Sequence, residues 1–153
     1  MKILMVCLGN ICRSPLAEGI MQAKLQDQFP KAIIDSAGTG AWHVGSPPDS
    51  RSIKVAEKYG VDITKQRARK INAEDFDHFD FIFTMDKEVH NTVLNIANTP
   101  EQKSRVHLLM KYAGNNFSEI VPDPYYGDDK EFEEVYLMID KACSAVIKRH
   151  FNR

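Results

Sequence analysis

The segment Cys7-Leu8-Gly9-Asn10-Ile11-Cys12-Arg13-Ser14-Pro15 follows a short apolar run and leads into a helical pattern. A loop in that position gathers unpaired backbone N–H groups at a helix N-terminus, where the aligned peptide dipoles add about half a positive charge. Converging N–H groups form an anion-binding concavity, and a phosphoryl group suits it. The stretch Leu8, Gly9, Asn10, Ile11, Cys12, Arg13 and Ser14 is therefore the expected cradle. Arg13 can clasp two phosphoryl oxygens with its planar fork, which a lysine cannot do in the same bidentate way.

The same field favours a thiolate, the nucleophilic form of cysteine, and Cys7 is the expected nucleophile. Ser14 is placed to donate a hydrogen bond to its sulfur. Asn10 suits a left-handed turn conformation that most residues resist. A thiolate that displaces an alkoxide or phenoxide from phosphorus needs an acid to protonate the departing oxygen, a contribution typically worth ~10²–10⁴ in rate. Asp123-Pro124-Tyr125-Tyr126-Gly127 supplies a carboxyl group in a proline-stiffened loop. Ile11, Tyr125, Tyr126 and, from a distant loop, Trp42 are expected to wall the substrate pocket, the aromatic rings stacking on a substrate ring.

These groups need elements that bring them together. Ile3 to Val6 reads as a strand buried on both faces. Ser14-Pro15 reads as an N-cap with proline at the first helical position, so a helix is expected from Pro15. Strands follow at Ile33-Ile34, Phe81-Ile82-Phe83 and Val106 to Leu109, with a helix from Ile53 to Tyr59 stopped by Gly60. A closing helix carries the stripe Phe132, Val135, Tyr136, Ile139, Ala142, Val146 and Ile147. Alternating strands and helices imply an α/β fold, a parallel sheet with helices on both faces, and ligands then bind beyond the carboxyl ends of the strands. The stretch from Gly38 to Ser50 reads as a long loop on that rim.

At 153 residues the chain is expected to form one domain, 1–153. Twenty Lys plus Arg against 21 Asp plus Glu leave a net charge of −1, which gives no field to draw nucleic acid or an anionic membrane. No apolar segment approaches a signal peptide or a bilayer span, so a cytoplasmic location is expected. Three cysteines without a secretion signal favour reactive or buried thiols over a disulfide framework.

The cysteine-to-serine loop at Cys7 to Ser14 and the acid loop at Asp123 to Gly127 resemble those of the low-molecular-weight protein tyrosine phosphatases, and the likeness covers nearly the whole chain. Asp35-Ser36-Ala37-Gly38, Trp42 with Val44-Gly45, Ala68-Arg69 and Met85-Asp86 resemble further landmarks. The resemblance implies a four-stranded parallel sheet, Cys7 as nucleophile, Arg13 as phosphate clamp and Asp123 as general acid. It also implies neither metal nor cofactor, and phosphotyrosine-containing proteins as partners. A monomer is expected. Some members carry histidine where this chain has Gln66, a departure that bears on a hydrogen bond and not on the reaction.

Other readings weigh less. Cys7 and Cys12 lack the further ligands a zinc site needs nearby. Gly38-Thr39-Gly40 invites a dinucleotide reading, yet His43 stands where the third glycine belongs. The histidines show no ligand spacing and are expected at the surface or at caps. Asp86 reads equally as a second carboxylate of the site and as a helix N-cap. Cys143 reads as a small buried hydrophobe. An arsenate reductase of similar fold would need a further cysteine pair, and residues 70 to 100 hold none. Relatives that act on phosphoarginine tend to carry threonine at the position of Ile11, so the bulkier Ile11 favours phosphotyrosine. Cys12 is the expected redox partner of Cys7, able to capture its oxidised form as a disulfide.

Overall fold

The computed structural model describes residues 1–114 and 118–151. Its elements run β1 (Lys2–Cys7), α1 (Arg13–Leu25), β2 (Ile33–Gly38), α2 (Ser50–Lys58), α3 (Asp75–His78), β3 (Phe81–Thr84), α4 (Lys87–Ile96), α5 (Pro100–Ser104), β4 (Val106–Leu108), a 3₁₀ turn (Leu109–Ala113) and α6 (Asp129–His150). The four strands form one parallel sheet in the order β2-β1-β3-β4. Among the described residues no helix is long and apolar enough to cross a membrane.

Strand β1 is central, and its side chains alternate between two cores as the period of two requires. Ile3, Met5 and Cys7 face the layer built from α1, α2 and α6, while Leu4 and Val6 face Phe76, Phe79, Val89 and Val93 on the other side. That is why the strand reads as an unbroken apolar run. Ile3 of β1 and Phe83 of the neighbouring β3 are so enclosed that truncating either to alanine would cost about 2–5 kcal/mol. The α6 stripe is buried as its spacing requires, Ile147 partly so. Cys143 lies fully buried on the same face, and burial pushes its thiol up to about 12.

Helix α1 begins at Arg13, two residues before the expected start at Pro15, with Cys12 at the N-cap position. Ser14 makes no cap hydrogen bond because its hydroxyl is engaged elsewhere. Strand order reverses about β1: the chain passes to β2 on one side and returns to β3 on the other. The crevice at the carboxyl ends of β1 and β3 is the position where such sheets hold ligands. The loop from Cys7 to Cys12 opens onto it.

Candidate active site

Cys7 is the last residue of β1 and is almost wholly buried. The chain then turns through Asn10, the one described non-glycine residue with positive φ, at 58°. Asparagine tolerates that conformation, and here its amide also does structural work. Asn10 Nδ2 donates to Ser14 Oγ at 2.8 Å and to Ser36 Oγ at 3.0 Å, while Asn10 Oδ1 accepts from Arg69 N at 3.0 Å. Because Ser14 Oγ accepts from Asn10, its hydroxyl hydrogen is free for Cys7 Sγ, 2.9 Å away. By the same logic the Ser36 hydroxyl donates onward to Glu18 Oε1 at 2.6 Å. The backbone of β2 comes close to this turn: a Cβ on Gly38 would stand 2.8 Å from Leu8 O and 3.1 Å from Asn10 N. Only glycine fits there.

Arg13 is 2% exposed. Nη1 donates to Asp86 Oδ2 at 2.6 Å and to Val121 O at 2.9 Å, and Nη2 stands 3.8 Å from Asp123 Oδ2. Burial works against the guanidinium charge, but Cys7, Asp86 and Asp123 outweigh it and hold Arg13 more firmly protonated than usual. With Nη1 committed to two acceptors, the Nε and Nη2 edge remains for two anion oxygens. Asp86 is the expected helix N-cap, with Oδ1 accepting from Val89 N at 2.8 Å at the start of α4, and its Oδ2 accepts from Arg13 Nη1 without lining the pocket.

Asp123 lies at the mouth, its side chain 45% exposed, with Oδ1 accepting from Tyr125 N at 3.1 Å. Gly127 N closes the turn on Pro124 O at 2.8 Å. Together these loops enclose a pocket of about 260 Å³. That is below the about 300–1,000 Å³ of sites that bury a drug-sized ligand, and it suits a single side chain. Cys7, Cys12 and Arg13 line it with Leu8, Gly9 and Ile11, and Trp42, His43, Asp123, Tyr125 and Tyr126 complete the lining. Trp42 and Tyr126 are 71% and 96% exposed, so they form a rim open to a large partner. The side chains of Asn10 and Ser14 are outside the lining and brace the loop from within.

Cys12 is buried, and burial first, then Asp49, Cys7 and Asp123, pushes its thiol far above the ordinary range, with Arg51 opposing. It is a neutral thiol. Glu18 is likewise raised, to about 7, chiefly by burial and further by Asp35, against the Ser36 hydrogen bond and Arg69.

Some contacts depart from the expected pattern. His43 lines the pocket, 6.4 Å from the Tyr125 ring, instead of standing at the surface or a cap. His107 and His150 belong to a ring cluster with Phe81 and Tyr112, and His90 pairs with Thr84 Oγ1 at 2.8 Å. For His107 and His150, the Phe81 ring, remote in sequence, is part of that cluster. Gln66 Nε2 donates to Pro15 O at 3.1 Å, and its buried Oε1 has no hydrogen-bond partner among the described residues. Glu18, Asp49 and Arg51 carry no local signal, since each meets the site through residues far away in the chain; Ser36 falls in a segment that the resemblance singles out, but its bonds to Asn10 and Glu18 cross the chain.

Fold and loop together define a parallel α/β protein in which Cys7, Arg13 and Asp123 share one small pocket. Residues 2–152 match the family model described as low molecular weight phosphotyrosine protein phosphatase. The chain is 43% identical over 143 residues to the low molecular weight phosphotyrosine protein phosphatase of Schizosaccharomyces pombe, covering 90% of this chain and 89% of that one. It is 36% identical over 148 residues to the low molecular weight protein-tyrosine-phosphatase YfkJ of Bacillus subtilis, covering 95% and 93%. Among solved structures, a protein tyrosine phosphatase from Entamoeba histolytica with Hepes in the active site superposes with a TM-score of 0.92 at 37% identity, over 99% of this chain and 97% of that one. The Drosophila arginine phosphatase superposes equally well, with a TM-score of 0.92 at 34% identity over 100% and 99%. The chain belongs to the low molecular weight phosphotyrosine protein phosphatase family, and it is an enzyme of the protein-tyrosine-phosphatase type.

Proposed function

We propose that this enzyme hydrolyses phosphotyrosine in protein substrates through a phosphocysteine formed on Cys7. The observation that carries the reading is that Cys7, Arg13 and Asp123 line one pocket, with Ser14 Oγ 2.9 Å from Cys7 Sγ and in place to donate to a thiolate there.

In the first step the Cys7 thiolate attacks phosphorus as the bond to the phenolic oxygen breaks. Asp123 gives its proton to that oxygen, and tyrosine leaves neutral. The Nε and Nη2 edge of Arg13 holds two of the three equatorial oxygens over which a loose, metaphosphate-like transition state spreads its charge. Backbone N–H groups from Leu8 to Ser14 hold the rest. In the second step water attacks phosphorus, the Asp123 carboxylate takes its proton, and the sulfur departs as thiolate with the Ser14 hydrogen bond to stabilise it. Phosphate and the free enzyme result.

The rim of Trp42, Tyr125 and Tyr126 supports an aryl phosphate, and Ile11 narrows the wall beside it. Hydrolysis of phosphoarginine, suggested by the name of the Drosophila neighbour, is the competing specificity on this fold. The test is a leaving-group series with Asp123→Asn. For phenyl phosphate kcat/KM should fall by ~10²–10⁴, whereas an activated ester that needs no proton should fall far less. Equal losses would remove Asp123 from the acid role. Faster turnover of a phosphoarginine peptide than of the matching phosphotyrosine peptide would overturn the substrate class.

A further inference from the structure

Asp49 and Arg51 lie outside the pocket lining, yet they connect the two loops that form it. Asp49 N donates to Ile11 O at 2.8 Å, and Ser52 Oγ donates to Cys12 O at 3.3 Å, so the start of α2 is tied to the anion loop. Asp49 caps α2 by accepting from Arg51 N at 2.9 Å and binds the Arg51 guanidinium with both oxygens, Nε to Oδ1 at 3.0 Å and Nη2 to Oδ2 at 2.9 Å. The other side of that guanidinium reaches the acid loop. Nη2 donates to Tyr125 O at 2.9 Å and Nη1 donates to Gly127 O at 3.0 Å. Its plane also lies over the buried Phe132 ring, 4.4 Å from the centroid.

The hydrogen bonds within residues 123–127 close the turn on itself. Among the described residues, those that reach this segment from elsewhere both come from Arg51. We propose that Asp49 and Arg51 form a strut between the anion loop and the acid loop, whose task is to set the position of the Asp123 carboxyl relative to the Cys7 sulfur. This rests on the reading of Asp123 as the general acid. Lysine cannot replace the strut, because the work is done by a planar fork with donors pointing in three directions. Asp49 and Arg51 are positioning residues: they touch neither the substrate nor the sulfur.

The strut predicts a defect confined to proton delivery. Arg51→Met should lower kcat/KM for phenyl phosphate by about tenfold or more, a part of the ~10²–10⁴ available to general acid catalysis. It should leave an activated ester such as dinitrophenyl phosphate within about twofold, since that leaving group needs no proton. Asp49→Asn, which keeps the cap acceptor and the arginine, should shift the series in the same direction by less, and it answers the question if Arg51→Met fails to fold. Arg51→Met combined with Asp123→Asn should be no slower on phenyl phosphate than Asp123→Asn alone. Uniform loss across the series, or losses that multiply in the double variant, would overturn the strut while a leaving-group-dependent Asp123→Asn leaves the acid intact. A leaving-group-independent Asp123→Asn would overturn both.

Discussion

The Arg13 guanidinium meets Asp86 Oδ2 at 2.6 Å, while Oδ1 of the same carboxylate caps α4 through Val89 N at 2.8 Å. One side chain at the end of β3 thus starts a helix and orients the arginine of the anion pocket. The two tasks separate under substitution. Asparagine caps helices about as well as aspartate, whereas alanine loses about 1 kcal/mol or more. Asp86→Asn should therefore change the unfolding free energy by less than about 1 kcal/mol yet lower kcat/KM about tenfold, the equivalent of ~1.4 kcal/mol of a charge-assisted hydrogen bond. Asp86→Ala should lose both. Urea unfolding beside steady-state kinetics checks the pair, and equal activity of Asp86→Asn and the wild type would make Asp86 a cap alone.

Glu18 gives a pH dependence of known sign. Burial raises its carboxyl from the ordinary 4.5 to about 7, so between those values the folded chain binds a proton that the unfolded chain has released. Stability from this group is present at low pH and is lost as pH rises through about 7. The loss should amount to roughly 1–3 kcal/mol by pH 8. His90 and His107, whose burial lowers them, contribute with the opposite sign, so the difference between two proteins is the useful quantity. Glu18→Gln keeps an acceptor for Ser36 and should become more stable relative to wild type as pH is raised from 5 to 8. A difference that stays constant over that range would show that Glu18 does not titrate there.

Cys12 is expected to protect Cys7 from peroxide. Oxidation converts the Cys7 thiolate to sulfenic acid, and attack by Cys12 sulfur then forms a disulfide and releases water. Burial keeps Cys12 protonated, which slows the attack. Peroxide-treated wild type should regain most of its activity with dithiothreitol, and Cys12→Ser severalfold less. Equal recovery, or oxidised wild type without a Cys7 to Cys12 link by mass spectrometry, would refute the protection.

Much of the site was legible because its parts are local. The turn after β1, the asparagine that suits positive φ and the arginine at the start of α1 all lie within one loop. The proline-stiffened acid loop is equally compact. Strand β1 was legible because both faces are buried, and α6 because its apolar residues keep helical spacing. The start of α1 was misplaced by two residues because Ser14, the natural cap, is bonded to Cys7 and Asn10. Contacts that cross the chain left no trace in the sequence. Arg51 reaches Tyr125 O from 74 residues away, and Glu18 joins the loop through Ser36. The place of His43 in the pocket follows from how the loop after β2 folds back over Gly9, which residue spacing does not encode.

In the proposed reaction Cys7 carries the phosphoryl group between the two steps. Rapid mixing with p-nitrophenyl phosphate, acid quench and peptide mass spectrometry should find phosphate on the Cys7 peptide of the wild type. Cys7→Ser should yield none and turn over no substrate, while still binding vanadate through the loop backbone and Arg13. A Cys7→Ser protein that keeps a substantial fraction of wild-type turnover, or a phosphoryl group trapped on any residue other than Cys7, would contradict the mechanism.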